Sequence, residues 1–231
     1  MPRLKAMARD ESGMTLVEVL IATATGVVVM LGITTAMILS IRGVQRVSTH
    51  VEANQRARLT MSKIIDQLHS ACITYDFAPV REESTSTLLS FVHQTGSAVS
   101  LNPVLSKISL TGTTLSESNY PLSTGTGPSD WVFSGTATST EQLLTGVSPV
   151  SAGAAIFSYY GYTSGAIAAA FSAAPLGANA AKTVQVNVAF KAAPVKAQKS
   201  DAGAATAVQS SALLRTSPAS FETTASNKPC Q

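Results

Sequence analysis

Three features of the sequence predict an α+β chain: one long N-terminal helix, a membrane span in its first half, packed on a β-rich C-terminal domain. Val19–Ile41 is a run of 23 residues without a formal charge. No proline lies between Pro2 and Pro79, and apolar residues after the charge-free run recur at helical spacing. Further along, apolar and polar residues alternate between turn residues, most clearly in Thr183–Phe190. Composition agrees: of 231 residues, 45% are hydrophobic and 13% charged, against a usual charged share of ~25%. A wholly disordered chain is excluded, because such chains are charge-rich and apolar-poor. The single long apolar run argues against a polytopic helical membrane protein. A net charge of +3 is too small to imply nucleic acid. Two cysteines exclude a disulfide-dense miniature and a four-cysteine zinc site.

Residues 1–13 form a short polar start with Arg3, Lys5 and Arg9. Residues 14–41 carry one charge, Glu18, and a helix needs ~20 apolar residues to cross a ~30 Å hydrocarbon layer. The basic start predicts a cytoplasmic N-terminus with the rest of the chain outside; Arg42 and Arg46 just past the run make the asymmetry modest. A cleaved signal peptide would have an apolar region of ~7–15 residues and a small-residue cleavage site, and this run is too long. A plain signal anchor fits the length but gives no reason for Glu18. A mid-bilayer carboxylate costs roughly 2.5–3.5 kcal/mol on insertion scales, so it needs a partner or a shallow position. A cut after Gly13 would give Met14 a free α-amino group, which Glu18 could neutralise within one subunit or between neighbours.

The segment Glu11-Ser12-Gly13-Met14-Thr15-Leu16-Val17-Glu18-Val19-Leu20-Ile21-Ala22 resembles the class III leader of the type IV pilin and pseudopilin superfamily. The resemblance implies a pilin-like fold, cleavage after Gly13 by a prepilin peptidase and methylation of Met14, where the family usually has phenylalanine. It also implies that Glu18, at the fifth mature position, neutralises the N-terminal amine of a neighbouring subunit during assembly. Residues 1–13 are then a cleaved leader, and 14–41 the half of the helix that spans the membrane and later lies in the filament core.

Residues 42–72 continue the helix as an amphipathic half. Val44, Val47, Val51, Asn54, Arg58, Met61, Ile65, Leu68 and Cys72 fall at steps of three and four, along one predicted stripe. Helix over 14–72 would be about 88 Å long at 1.5 Å per residue. An independent coiled coil is the competing use of the stripe, and its two polar positions, Asn54 and Arg58, argue against a strong one. Gly26, Gly32 and Gly43 each lower helix propensity by ~1 kcal/mol relative to Ala. Gly43, near the end of the span, is where a bend would fall.

Residues 73–231 are expected to form an extracytoplasmic β-rich globular domain with long loops. The expected strands are Leu88–His93, Val104–Leu110, Asp130–Ser134, Ala154–Tyr160, Thr183–Phe190 and Ser211–Thr216. In Thr183–Phe190, Val184, Val186, Val188 and Phe190 should face inward. Turns are expected at Asn102-Pro103, Gly125–Pro128, Gly135, Ser148-Pro149 and Ala193-Pro194. The Ala-rich stretches 164–182 and 197–210 read as loops. Glu141–Val147, Ala155–Tyr160, Val184–Phe190 and the helix end at Arg58–Met61 and Gln67–Ala71 are similar to J-type pseudopilins and PilW-like minor pilins. That likeness implies a place at or near a filament tip and a part in initiating assembly with other minor subunits.

If the topology is right, Cys72 and Cys230 lie on the oxidising side, where a bridge is expected. It would close a loop of roughly 160 residues, worth on the order of 5 kcal/mol at most by loop entropy; a buried thiol and a frayed one are the alternative.

No enzyme activity is expected. His50, His69 and His93 form no His-Glu-x-x-His pair, and the chain has no Cys-x-x-Cys, so no metal site is expected. Gly161–Gly165 misses the nucleophile-elbow spacing. Gly125-Thr126-Gly127 lacks the third glycine of a dinucleotide loop, so no cofactor is expected. Asp130 with Glu141 as paired carboxylates, and Tyr159, Tyr160 and Tyr162 as an aromatic platform, are patterns that chance and strand packing also produce. Lys182, Lys191, Lys196 and Lys199 are a candidate patch for DNA or another polyanion, against the blander alternative of a solvated charged face. The expected partners are other pilin or pseudopilin subunits, the prepilin peptidase, the assembly platform of the cytoplasmic (inner) membrane and the lipid bilayer; no small-molecule substrate is identified. A membrane-anchored extracytoplasmic enzyme or binding protein whose start mimics a pilin leader is the competing class, and a DNA-uptake minor pilin is the other alternative.

Overall fold

The computed structural model describes residues 14–72, 78–97, 100–127, 130–163, 166–167, 170–171, 174–194 and 205–214. It shows the expected α+β class, with a long helix on a β-rich domain. The chain divides into two compact units, Met1–Ser48 and Thr49–Gln231. Helix α1, Leu16–His69, belongs to both and is helical through Gly43.

In the first unit every described residue is exposed. Four threonine hydroxyls of this apolar stretch are satisfied within the helix. Thr23 donates to the Leu20 carbonyl (3.0 Å), Thr25 to Ile21 (2.9 Å), Thr35 to Leu31 (2.7 Å), and Thr34 to Met30. A hydroxyl that bonds its own backbone presents no unmet polar group to hydrocarbon.

In the second unit α1 buries Ala53, Ala57, Thr60, Met61, Ile64 and Leu68. This corrects the expected stripe, of which only Met61, Leu68 and the post-helical Cys72 are buried. Val51 is 49% exposed, and Arg58 also faces out. The reason is steric: Ala53, Ala57 and Thr60 are small enough to let a sheet lie close against the helix, and a search for bulky apolar residues passes over them.

Antiparallel strands follow. The first sheet holds β1 (Leu88–Ser97), β2 (Ser100–Thr111), β3 (Thr114–Thr124), β4 (Val132–Phe133) and β5 (Ser139–Thr145), in the order β1-β2-β3-β4, with β5 also on β3. The second has β10 (Gln185–Ala192) between β11 (Thr206–Leu213) on one side and β6 (Val147–Ser148) with β7 (Phe157–Tyr160) on the other. A small hairpin pairs β8 (Tyr162–Thr163) with β9 (Ala166–Ile167). A 3-10 turn spans Gly177–Lys182.

One core holds both sheets together: Met61, Ile64 and Leu68 meet Leu89, Phe91, Ile108 and Leu115 of the first, and Val186, Val188 and Phe190 of the second. The expected alternation is present in β10, where Val186, Val188, Phe190 and Ala192 are buried, with Val184 buried just before it. The remaining edge of β1 is covered by chain. Val92 N donates to Pro79 O (2.8 Å), Cys72 N to Val92 O (2.9 Å) and Gln94 N to Ser70 O (3.1 Å), so that edge is not open to pairing with other chains.

Several expectations fail locally. β3 and β5 were not among the expected strands, Asn102-Pro103 lies inside β2 rather than in a turn, and the last strand is Thr206–Leu213 rather than Ser211–Thr216. It therefore takes in part of the supposed loop 197–210. The turn between β2 and β3 is Gly112-Thr113, with Gly112 at φ +61°, a two-residue hairpin connection that favours glycine. Pro121 interrupts β3 where β5 ends, at Asn119↔Ser139, and β4 begins, at Leu122↔Phe133. Its missing N–H points into that gap, since Ser134 N bonds the Pro121 carbonyl on the same side.

Gly125 sits at φ +116°, and a Cβ there would lie 2.4 Å from the Asp130 carbonyl oxygen. Gly125→Ala should therefore destabilise the fold by about 1–3 kcal/mol, read as a lower thermal midpoint. An unchanged midpoint would contradict this close approach.

Candidate functional site

The sequence places its candidate site at the start of α1. The helix begins at Leu16, so only Met14 and Thr15 stand between it and the expected cut. Thr15 acts as N-cap: its Oγ1 accepts from Glu18 N at 3.3 Å, and its carbonyl accepts from Glu18 N at 3.0 Å and Val19 N at 3.2 Å. Glu18 is the acidic residue of the first turn, where a carboxylate favours the positive end of the helix dipole. Thr15-Leu16-Val17-Glu18 has the spacing of a capping box, so Glu18 also has a local role in starting the helix. Met14 is 72% exposed; Gly13 lies outside the described residues. The helix that follows is long and apolar enough to cross a membrane once.

At the helix C-terminal end, Cys72 is fully buried with Val92 and Leu105 under the half-buried rings of Tyr120, Trp131 and Phe133. It is not a free thiol. Cys230 lies outside the described residues, as do Lys196 and Lys199. Of the other two candidate lysines, Lys182 is exposed before the start of β10 and Lys191 half-buried near its end. Gln185 to Lys191 alone is about 20 Å of strand at ~3.3 Å per residue, so these two do not adjoin.

The structure gathers charge where no motif marks it. Glu117 on β3, 1% exposed, stands opposite Glu141 on β5. Two carboxylates directly across a ladder repel, and Lys63 from α1 reaches between them, 2.7 Å from Glu141 Oε2 and 3.0 Å from Glu117 Oε2. Gln67, one helical turn on, donates through Nε2 to Glu117 Oε1 at 2.7 Å. Glu117 Oε2 has the lysine charge beside it but no well-directed hydrogen bond. Burial pulls the Lys63 pKa down, but the hydrogen bond to Glu141 and the close charges of Glu117 and Glu141 outweigh it and hold the ammonium above the ordinary lysine value. The cluster ties α1 to the first sheet.

Glu141 thus has Glu117, rather than Asp130, as its carboxylate neighbour. The tyrosine run forms no platform: Tyr159 is buried and donates to the carbonyls of Leu88 (2.9 Å) and Thr85 (3.0 Å), and burial pushes its phenol well above the usual range. His93 is buried, and its Nε2 lies 2.8 Å from Ser106 Oγ. Both residues are closed off from solvent, so the pair cannot meet a substrate. Among the described residues no group of three or more His, Cys, Asp or Glu is placed to hold a metal. Compared with known proteins, the chain matches no family model and no curated sequence.

Proposed function

We propose that this chain is a minor pilin or pseudopilin: a structural subunit of a type IV pilus or type II secretion-like filament, matured by a prepilin peptidase. The observation that supports it most is the coincidence at the helix start. The capped apolar helix opens three residues beyond Gly13, with Glu18 as the acid of its first turn. In this account the chain waits as a single-pass protein of the cytoplasmic membrane, N-terminus inside and β domain outside. Cleavage frees the Met14 amine, methylation follows, and Glu18 of one subunit neutralises the amine of its neighbour. Exchange of lipid for neighbouring helices then carries the subunit into the filament, at or near the tip, driven by the machine's own cytoplasmic motor. Charge neutralisation sets register rather than bulk affinity. Cys72 pairs with Cys230, the chain's other cysteine, and so fastens the tail to the end of α1; non-reducing intact mass should be two hydrogen atoms lighter than after reduction.

Co-expression with and without a prepilin peptidase, followed by N-terminal mass measurement, tests this function. The expected product begins at Met14 only when the peptidase is present, and Gly13→Val abolishes the cut, because the peptidase must fit the backbone next to it. A wild-type chain left uncut would favour a membrane-anchored enzyme or binding protein. Normal processing of Gly13→Val would contradict the assigned site.

A further inference from the structure

Among the described residues, three buried side-chain atoms have no hydrogen-bond partner: Gln67 Oε1, Glu117 Oε2 and His93 Nδ1. All belong to side chains between α1 and the first sheet. The first two are at the Lys63 cluster; His93 serves none of the roles described above. Its place in the fold is specific. It lies across from Ala71, the second residue past α1. Its neighbours in β1 hold the helix end, through Cys72 N to Val92 O and Gln94 N to Ser70 O.

We propose that His93 is a proton-sensitive clasp, holding the end of α1 on the first sheet at neutral pH and loosening it in mild acid. The hydrogen bonds fix its neutral form. Ser106 Oγ donates to Asn119 Oδ1 at 2.5 Å, so it accepts from His93 Nε2 at 2.8 Å. The one proton of the neutral ring is therefore on Nε2, and Nδ1 is bare. A second proton must go to Nδ1, placing a positive charge on a residue only 4% exposed.

The charged groups around this face are few. From β3 comes Glu117, whose charge draws the proton toward His93. From α1 comes Lys63, already shared by Glu117 and Glu141, and from β5 comes Glu141. Asp66 and His69 of α1 are exposed. Lys107 of β2 pairs with Glu83 and alternates to the opposite face from Ser106. Arg81 likewise alternates away from Val80, which faces the core. Glu117 is thus the carboxylate available to a charged His93, and Lys63 already neutralises it in part. Burial pulls the His93 pKa down; the Glu117 charge and the Gln94 backbone oppose it without cancelling it. With the folded-state value below the ordinary 6.5, the unfolded chain takes up its proton first. The clasp is complete above about 6.5 and weakens as pH falls from there toward the folded-state value.

Amide hydrogen exchange on the full chain in detergent micelles, at pH 7.5 and 5.0 and corrected for intrinsic rates, tests this. In the wild type, the segments holding Ser70–Cys72 and Val92–Gln94 should lose protection severalfold at the lower pH, because the unfolded chain binds the proton more readily than the buried ring. His93→Gln keeps an amide donor for Ser106 but cannot titrate, and should show the same protection at both. Equal wild-type protection at both pH values would overturn the proposal, as would equal losses in wild type and His93→Gln. Should the variant not fold, the ring titration of wild-type His93 decides by NMR: a midpoint below 6.5 accompanied by shifts at Ser70–Cys72 supports the clasp, and a midpoint at or above 6.5, or no such shifts, refutes it.

Discussion

Glu18→Ala is expected to leave cleavage after Gly13 intact and to lower incorporation into filaments by roughly 60- to 300-fold. An unpaired charge in the hydrocarbon costs roughly 2.5–3.5 kcal/mol, and in the variant the freed Met14 ammonium has no carboxylate to meet. Glu18 also stands three residues after the Thr15 cap, at capping-box spacing; loss of the Thr15 cap itself costs about 0.5–2 kcal/mol. Two further variants separate these roles. Glu18→Gln keeps the reach to the cap but not the charge, and should fail as Glu18→Ala does. Thr15→Ala weakens the cap and keeps the charge, and should assemble. Filament fractions quantified by immunoblot, beside N-terminal mass of the membrane-bound pool, give both readouts. If Glu18→Gln assembled like wild type, the cap and not the ion pair would explain Glu18.

Lys63→Met is expected to produce the largest loss of folding stability. Glu117 is 1% exposed and has Lys63 as its cation. Removing one partner of a buried pair costs about 3–5 kcal/mol, because the other charge is stranded. The lysine side chain is itself 37% exposed, which puts the expectation near the lower end, about 3 kcal/mol. That corresponds to a fall of roughly 6–12 °C in Tm for a chain of this size. Lys63→Met with Glu117→Met together should recover most of the loss, since an apolar pair of similar volume removes the stranded charge. Glu141→Ala should cost less than about 1 kcal/mol, because that carboxylate is 63% exposed. The pH dependence has a definite sign. Lys63 is held above its ordinary 10.5, so its contribution is complete below that value and is lost as pH rises through the folded-state value. Equal thermal midpoints for Lys63→Met and Glu141→Ala would contradict this assignment.

The long helix was legible because hydrophobic run length and the absence of proline act locally. The face it buries was not. Ala53, Ala57 and Thr60 are buried for their small size, which matters only once a sheet lies against them. β10 was legible from Val184, Val186, Val188 and Phe190, since alternation survives wherever one face is apolar. β3 was hidden because its inward positions include Glu117 and its line is broken by Pro121; both make sense only with Lys63 supplied from α1 and with the gap between β4 and β5. The proposed site at the helix start can be stated from sequence because its chemistry is contiguous, within Gly13–Glu18. The clasp at His93 could not, because His93, Ser106, Glu117 with Asn119, and Lys63 are drawn from four separate elements, β1, β2, β3 and α1.

The central claim is tested most directly by intact and N-terminal mass spectrometry of this chain recovered from sheared filaments. The mature subunit should begin at Met14 and carry one added methyl group on its amine. Recovery of functional filament-bound chains that still begin at Met1 would contradict the account.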